Sequence, residues 1–108
     1  MDMSMYDLTG KVAIITGSTR GIGNAIAKLM ADHGAAVVIT GRKQEACDKV
    51  AEEIKAAGGK ALGVATDVTS AEARQNLVNK TVETFGHIDI LVNNAGTGGQ
   101  PRKMVDMD

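Results

Sequence analysis

The chain has 108 residues and a nearly balanced charge, with 12 basic and 13 acidic side chains. That length fits one small domain, and the balance excludes a surface built on a basic excess for nucleic-acid backbones. Hydrophobic residues at 44% exclude a disordered chain, and having only Tyr6 and Phe85 as aromatics excludes base-stacking platforms and aromatic cages.

The first predicted element is a buried strand over Val12–Thr16, short, apolar and β-branched, ending at Gly17. A helix follows, with Ile22, Ile26, Leu29, Met30 and His33 at spacings of three and four, and Gly34 stops it. Ala36–Thr40 reads as the second strand. Ala46, Val50, Ile54 and Ala57 then share one helical face up to Gly58 and Gly59. The acids Glu45, Asp48, Glu52 and Glu53 interleave with Lys49 and Lys55 as an ordinary solvated face. Ala61–Thr66 reads as a third strand. Thr69 and Glu72 have capping-box spacing for a third helix, whose face runs Leu77, Val78, Thr81, Val82 and Phe85 and which Gly86 ends. Ile88–Asn93 is the fourth predicted strand, and residues 97–108 form a loop-like tail with the only proline.

The order is therefore β-α-β-α-β-α-β. Uniformly apolar strands mark a parallel sheet covered by helices. The expected fold is α/β, a doubly wound parallel sheet of about four strands in the order 3-2-1-4 with three helices. It forms a single, partial dinucleotide-binding domain.

Thr16–Gly23 lies between the first strand and first helix. Gly17 would allow a sharp turn, and Gly21 and Gly23 would let backbone and helix approach a diphosphate. The helix N-terminus beyond offers unpaired N–H groups and positive dipole. The glycines are spaced by three residues and then one, unlike the common G-x-G-x-x-G. Two further motifs sit at strand ends: Asp67-Val68 after the third, and Asn93-Asn94-Ala95-Gly96 after the fourth.

These three motifs, in this order, resemble the N-terminal half of the short-chain dehydrogenase/reductase family. The similarity runs from about Leu8 to Gly96 and includes NADP(H)-dependent ketoreductases such as the 3-oxoacyl-ACP reductase-like members. It implies that Gly17, Ser18, Thr19, Arg20, Gly21, Ile22 and Gly23 hold the adenosine and diphosphate end of a nicotinamide cofactor. It implies that Asp67 accepts a hydrogen bond from the adenine amino group, with the Val68 backbone placing the ring. Asn94, Ala95 and Gly96 would line the cofactor beside the adenosine and ribose, and Asn93 would tie the fourth strand to its neighbours.

The second strand ends at Thr40-Gly41-Arg42-Lys43. An NAD site usually carries a carboxylate here, about 20 residues past the glycines. Two cations follow instead, and Arg20 adds a third. A guanidinium fork suits a 2′-phosphate, so NADP(H) is favoured over NAD(H), with Arg42 as the residue that reads the phosphate.

The family transfers hydride between the cofactor and a carbonyl or alcohol, using a Tyr-x-x-x-Lys pair and an upstream Ser. Tyr6 is the sole tyrosine and has Gly10 where that Lys would stand. The chain is therefore expected to hold the cofactor half of a truncated fold, to have no catalytic residue of its own, and to be inactive alone. Substrate would meet only a complete member. Two alternatives are a non-catalytic nucleotide-binding module and an interaction fragment that completes its sheet with another chain. An exposed fourth-strand edge would invite self-association.

Cys47 reads as a small helix residue, since no histidine is placed beside it, and it cannot form an internal disulfide. His33, His87 and Cys47 are too scattered for a zinc site. No signal peptide opens the sequence and no apolar run approaches the ~20 residues of a bilayer span, so a cytoplasmic setting without membrane contact is expected.

Overall fold

The computed structural model describes residues 7–94 and the backbone of 104–106. The elements are β1 (Val12–Ile15), α1 (Gly21–Asp32), β2 (Ala36–Gly41), α2 (Gln44–Ala56), β3 (Lys60–Ala65), α3 (Ala71–Phe85), β4 (Ile90–Val92) and β5 (Met104–Asp106). The sheet order is β3-β2-β1-β4-β5. β1 to β4 are mutually parallel, with Ile15 beside Ile39 on one flank and Val92 on the other. This is the doubly wound arrangement expected from the alternating pattern.

Each strand sends alternate side chains to opposite faces. Ala13, Ile15, Val37, Ile39, Ile90 and Val92 face α1 and α2, where Met30, Val50 and Ile54 complete the larger core. Ile14, Val38 and Val64 face α3 and meet Leu77. Only α3 lies on this second face among the described elements. Beside it a groove of about 400 Å³ runs over Ile14, Leu77, Ile88 and Leu91.

The first helix keeps only part of its predicted face: Met30 is buried and Ile26 packs against the core. Gly23, Ala27 and Met30 are buried, whereas Ile22 and Leu29 are 52% and 59% exposed. Small side chains at Gly23 and Ala27 let α1 approach the sheet closely, and they share the contact line with Met30. In α3, Leu77 and Thr81 are buried and Val82 is exposed.

The cap of α3 also differs. Ser70, not Thr69, is the N-cap, and its side chain accepts the Ala73 N–H at 3.2 Å. The Thr69 hydroxyl instead donates to Asp67 Oδ1 at 2.6 Å, a charge-assisted bond within the turn before the helix.

At the other end of the sheet, β4 is shorter than its apolar run. Asp89 precedes it and secures its entry, accepting the Val12 N–H through Oδ2 at 2.8 Å. The expected fourth-strand edge is covered, because β5 pairs antiparallel with β4, Met104 against Val92 and Asp106 against Ile90. Residues 104–106 therefore depart from the loop-like tail, and self-association through an open β4 edge is not supported. The unpaired peptide groups of β4 find partners within the same chain, as a strand edge demands.

Candidate functional site

The carboxyl ends of β1, β2, β3 and β4 bring together the segments singled out from the sequence. Gly17 and Gly21 have φ of 61° and 64°, a region costly for residues with a Cβ. Gly23 serves a different need. A Cβ there would overlap the Gly17 carbonyl oxygen and lie 2.6 Å from Asn94 Nδ2. The first turn of α1 is thus pressed against the glycine turn and the end of β4.

Ser18 and Thr19 hold that turn to β2. The Ser18 N–H donates to the Thr40 carbonyl at 2.9 Å, and the Thr40 N–H donates to Ser18 Oγ at 2.9 Å. Ser18 is fully buried, so its hydroxyl stabilises the turn rather than facing outward. Thr19 leans over Gly41, where a Cβ would come 3.0 Å from Thr19 Cγ2. Asn24 adds a tie, donating through Nδ2 to the Ser18 carbonyl at 3.4 Å.

Thr16 joins the turn to β4, a role that sequence reasoning missed. Its N–H donates to the Val92 carbonyl at 3.0 Å, and its Oγ1 accepts the Asn94 N–H at 2.8 Å. The same hydroxyl lies 3.3 Å from Asn93 Oδ1. Asn94 Nδ2 reaches the Gly17 carbonyl at 3.3 Å. A hydroxyl at the last buried position before Gly17 was the available signal. Ala95 and Gly96, the remaining residues of that motif, lie outside the described residues.

The helix end above this turn is prepared for an anion. Arg20 is the N-cap of α1 in extended conformation, with no side-chain cap bond, and no acid occupies the first turn. Its leading N–H groups keep their positive potential. Arg20, Gly21 and Ile22 are exposed, and a Cβ at Gly21 would meet nothing within 4 Å. An uncapped helix start under an open glycine fits a diphosphate.

At the adjoining strand ends, the Gly41 carbonyl accepts the Thr66 N–H at 2.7 Å. That bond sets the following residues, Arg42 and Asp67, beside one another, and both are exposed. Asp67 Oδ1 accepts the Thr69 hydroxyl at 2.6 Å and the Thr69 N–H at 3.0 Å. The Thr69 hydroxyl and N–H hold the Asp67 carboxyl below its usual range, and the nearby Arg42 charge adds to the effect. Asp67 is therefore a turn residue as well as a candidate contact. The half-buried Val68 has its carbonyl taken by Arg74 Nη1 at 2.6 Å.

Of the residues set aside, Cys47 lies under the β2 end, with its Sγ 3.9 Å from the Gly41 carbonyl oxygen. Burial pushes the Cys47 thiol up, which disfavours a nucleophilic thiolate. Among the described residues no group of three metal-binding side chains comes together, and no helix is long and apolar enough to cross a membrane.

Comparison with known proteins agrees with this geometry. The family model described as short chain dehydrogenase matches residues 11–108. An uncharacterized oxidoreductase of Methylorubrum extorquens is 50% identical over 93 residues, 85% of this chain and 38% of the relative. The crystal structure of a hydroxysteroid dehydrogenase from Escherichia coli superposes with a TM-score of 0.86 at 41% identity, covering 91% of this chain and 42% of that one. A 7α-hydroxysteroid dehydrogenase solved with NADH and 7-oxo glycochenodeoxycholic acid gives a TM-score of 0.86 at 40% identity, covering 92% of this chain and 39% of that one. The chain thus spans about two fifths of the length of these proteins. A family match over nearly the whole sequence, the 3-2-1-4 parallel sheet and the glycine turn agree: the chain belongs to the short-chain dehydrogenase/reductase family of oxidoreductases.

Proposed function

We propose that this chain is the nicotinamide-dinucleotide-binding part of a reductase or dehydrogenase acting on a carbonyl or alcohol, and that it takes NADP(H) in preference to NAD(H). The observation that carries the reading is the uncapped N-terminus of α1 beneath the open glycine turn, beside a β2 end that bears cations. A neighbour of similar fold held NADH in its crystal, which supports the same class of ligand here.

Gly17, Gly21, Gly23 and the α1 N–H groups would hold the diphosphate. Ser18, Thr19 and Arg20 would shape that turn, and Ile22 would offer its exposed side chain to the cofactor. Asp67 would accept from the adenine amino group with the Oδ2 that Thr69 leaves open. Val68, Asn94, Ala95 and Gly96 would line the nucleoside. Arg42 would meet a 2′-phosphate, since Gly41 stands where a ribose-binding carboxylate would otherwise discriminate against it. The bound nicotinamide would supply the hydride. The 108 residues contain no Tyr-x-x-x-Lys pair to protonate a carbonyl oxygen, so this chain alone is expected to support no turnover. The free buried thiol of Cys47 suits a reducing, cytoplasmic setting.

Calorimetric titration with NADPH and NADH tests the reading. Saturable one-to-one binding, displaced more effectively by 2′,5′-ADP than by 5′-AMP, is the expected result. Absence of binding by the folded chain would overturn it.

A further inference from the structure

β3 is one of the two outer strands of the sheet. Its inner edge pairs with β2, and Thr66 continues that pairing by donating to the Gly41 carbonyl. Peptide groups alternate along a strand, so the Gly63 carbonyl and Ala65 N–H point to the unpaired side. Gln44 meets both. Its Nε2 donates to the Gly63 carbonyl at 2.9 Å, and its Oε1 accepts the Ala65 N–H at 2.9 Å. The second Nε2 proton goes to Asp48 Oδ1 at 2.7 Å. One side-chain amide thus takes the place of a missing strand's peptide.

This brace ties together the two segments that carry the candidate nucleoside contacts. Gln44 opens α2 two residues after Arg42, and Ala65 stands two residues before Asp67. Lys43 caps α2 without a side-chain hydrogen bond, so Gln44 is the first residue of α2 whose side chain ties the β2–α2 turn to β3. Gly63 makes the approach possible, because a Cβ there would come 2.9 Å from Asp48 Oδ1 and 3.0 Å from the Asp48 nitrogen.

We propose that Gln44, by bridging the Gly63 carbonyl and the Ala65 N–H, is a positioning residue that sets Arg42 against Asp67 and thereby tunes discrimination at the 2′ position of the bound nucleotide. The proposal rests on the dinucleotide reading above. Gln44 itself touches no cofactor in this scheme.

The test uses the full chain and two variants. Gln44→Met keeps length and helix propensity but removes donor and acceptor. Gln44→Glu keeps the acceptor for Ala65 and sets an oxygen against the Gly63 carbonyl and the Asp48 carboxylate. Both should weaken NADPH binding about 3- to 10-fold, the scale of one or two neutral hydrogen bonds, and change NADH binding less than about 2-fold. Amide exchange at Ala65 should accelerate in Gln44→Met without nucleotide present. Equal losses for both nucleotides, or an unchanged NADPH-to-NADH ratio in either folded variant, would overturn the positioning role. Unchanged exchange at Ala65 would overturn the brace itself. A folded wild-type chain that binds neither nucleotide would overturn the reading beneath it, and this proposal with it.

Discussion

Gly23 and Asn94 are in contact across the mouth of the sheet: a Cβ on Gly23 would lie 2.6 Å from Asn94 Nδ2 while overlapping the Gly17 carbonyl. The same Asn94 Nδ2 donates to that carbonyl at 3.3 Å. Helix, glycine turn and the end of β4 therefore share one point, and a methyl group has no room there. Gly23→Ala should destabilise the chain by about 1–3 kcal/mol, the usual cost of overpacking, despite the better helix propensity of alanine. Nucleotide affinity should fall further than stability alone explains, because the turn must move outward. Urea denaturation and nucleotide titration on the same sample check this. A stabilised variant with unchanged affinity would contradict the contact.

In the proposed reading Arg42 meets the nucleotide's 2′-phosphate, and it is exposed beyond the end of β2. A charge-assisted bond to a 2′-phosphate contributes about 1.5–3 kcal/mol. Arg42→Ala should then weaken NADPH binding about 10- to 150-fold and leave NADH nearly unchanged. Equal losses would mean that Arg42 acts through Asp67 and the turn.

The sequence exposed the fold more fully than the site. Uniformly apolar strands alternating with helical periodicity leave one economical arrangement, and the observed strand order follows it. What was not legible depended on contacts between distant segments. The periodicity of α1 favours Ile22 and Leu29, but close approach to the sheet selects Gly23 and Ala27. Thr69 has capping-box spacing, but Asp67 takes its hydroxyl. The antiparallel pairing of β5 with β4 joins Met104 to Val92 across a Gly- and Pro-containing stretch with no strand pattern of its own. Thr16 and Gln44 look like an ordinary strand end and helix start until their partners, 78 and 21 residues away, come into place.

Thr16 offers a direct measure of how the turn and β4 are joined. It is buried, and its hydroxyl accepts the Asn94 N–H at 2.8 Å. Thr16→Val keeps the shape and leaves that donor without its acceptor. Stability should drop by about 1–3 kcal/mol, with amide exchange at Asn94 accelerating more than at the centre of β1. A loss spread evenly over all strand amides would point to general loosening rather than to this bond.

Asp67 and Ser70 divide two tasks that lie three residues apart, and pH separates them. The Asp67 carboxyl is held below the usual carboxylate range, first by the Thr69 hydroxyl, then by the Thr69 N–H, with Arg42 contributing. A carboxyl depressed in the folded state stabilises the fold above its unfolded value and loses that contribution as pH falls through the folded one. Asp67→Asn retains an acceptor for Thr69 but not the charge. Wild type should therefore exceed Asp67→Asn in urea midpoint at pH 6, and the two should converge as pH falls from about 4 toward 2. Ser70→Ala should behave otherwise. It removes the acceptor for the Ala73 N–H at the start of α3 and should cost about 1 kcal/mol at every pH. Because Ser70 caps the helix while Asp67 is the proposed nucleoside contact, Ser70→Ala should keep nucleotide affinity and Asp67→Asn should lower it. Matching pH profiles for the two variants would show that the carboxylate serves α3 alone.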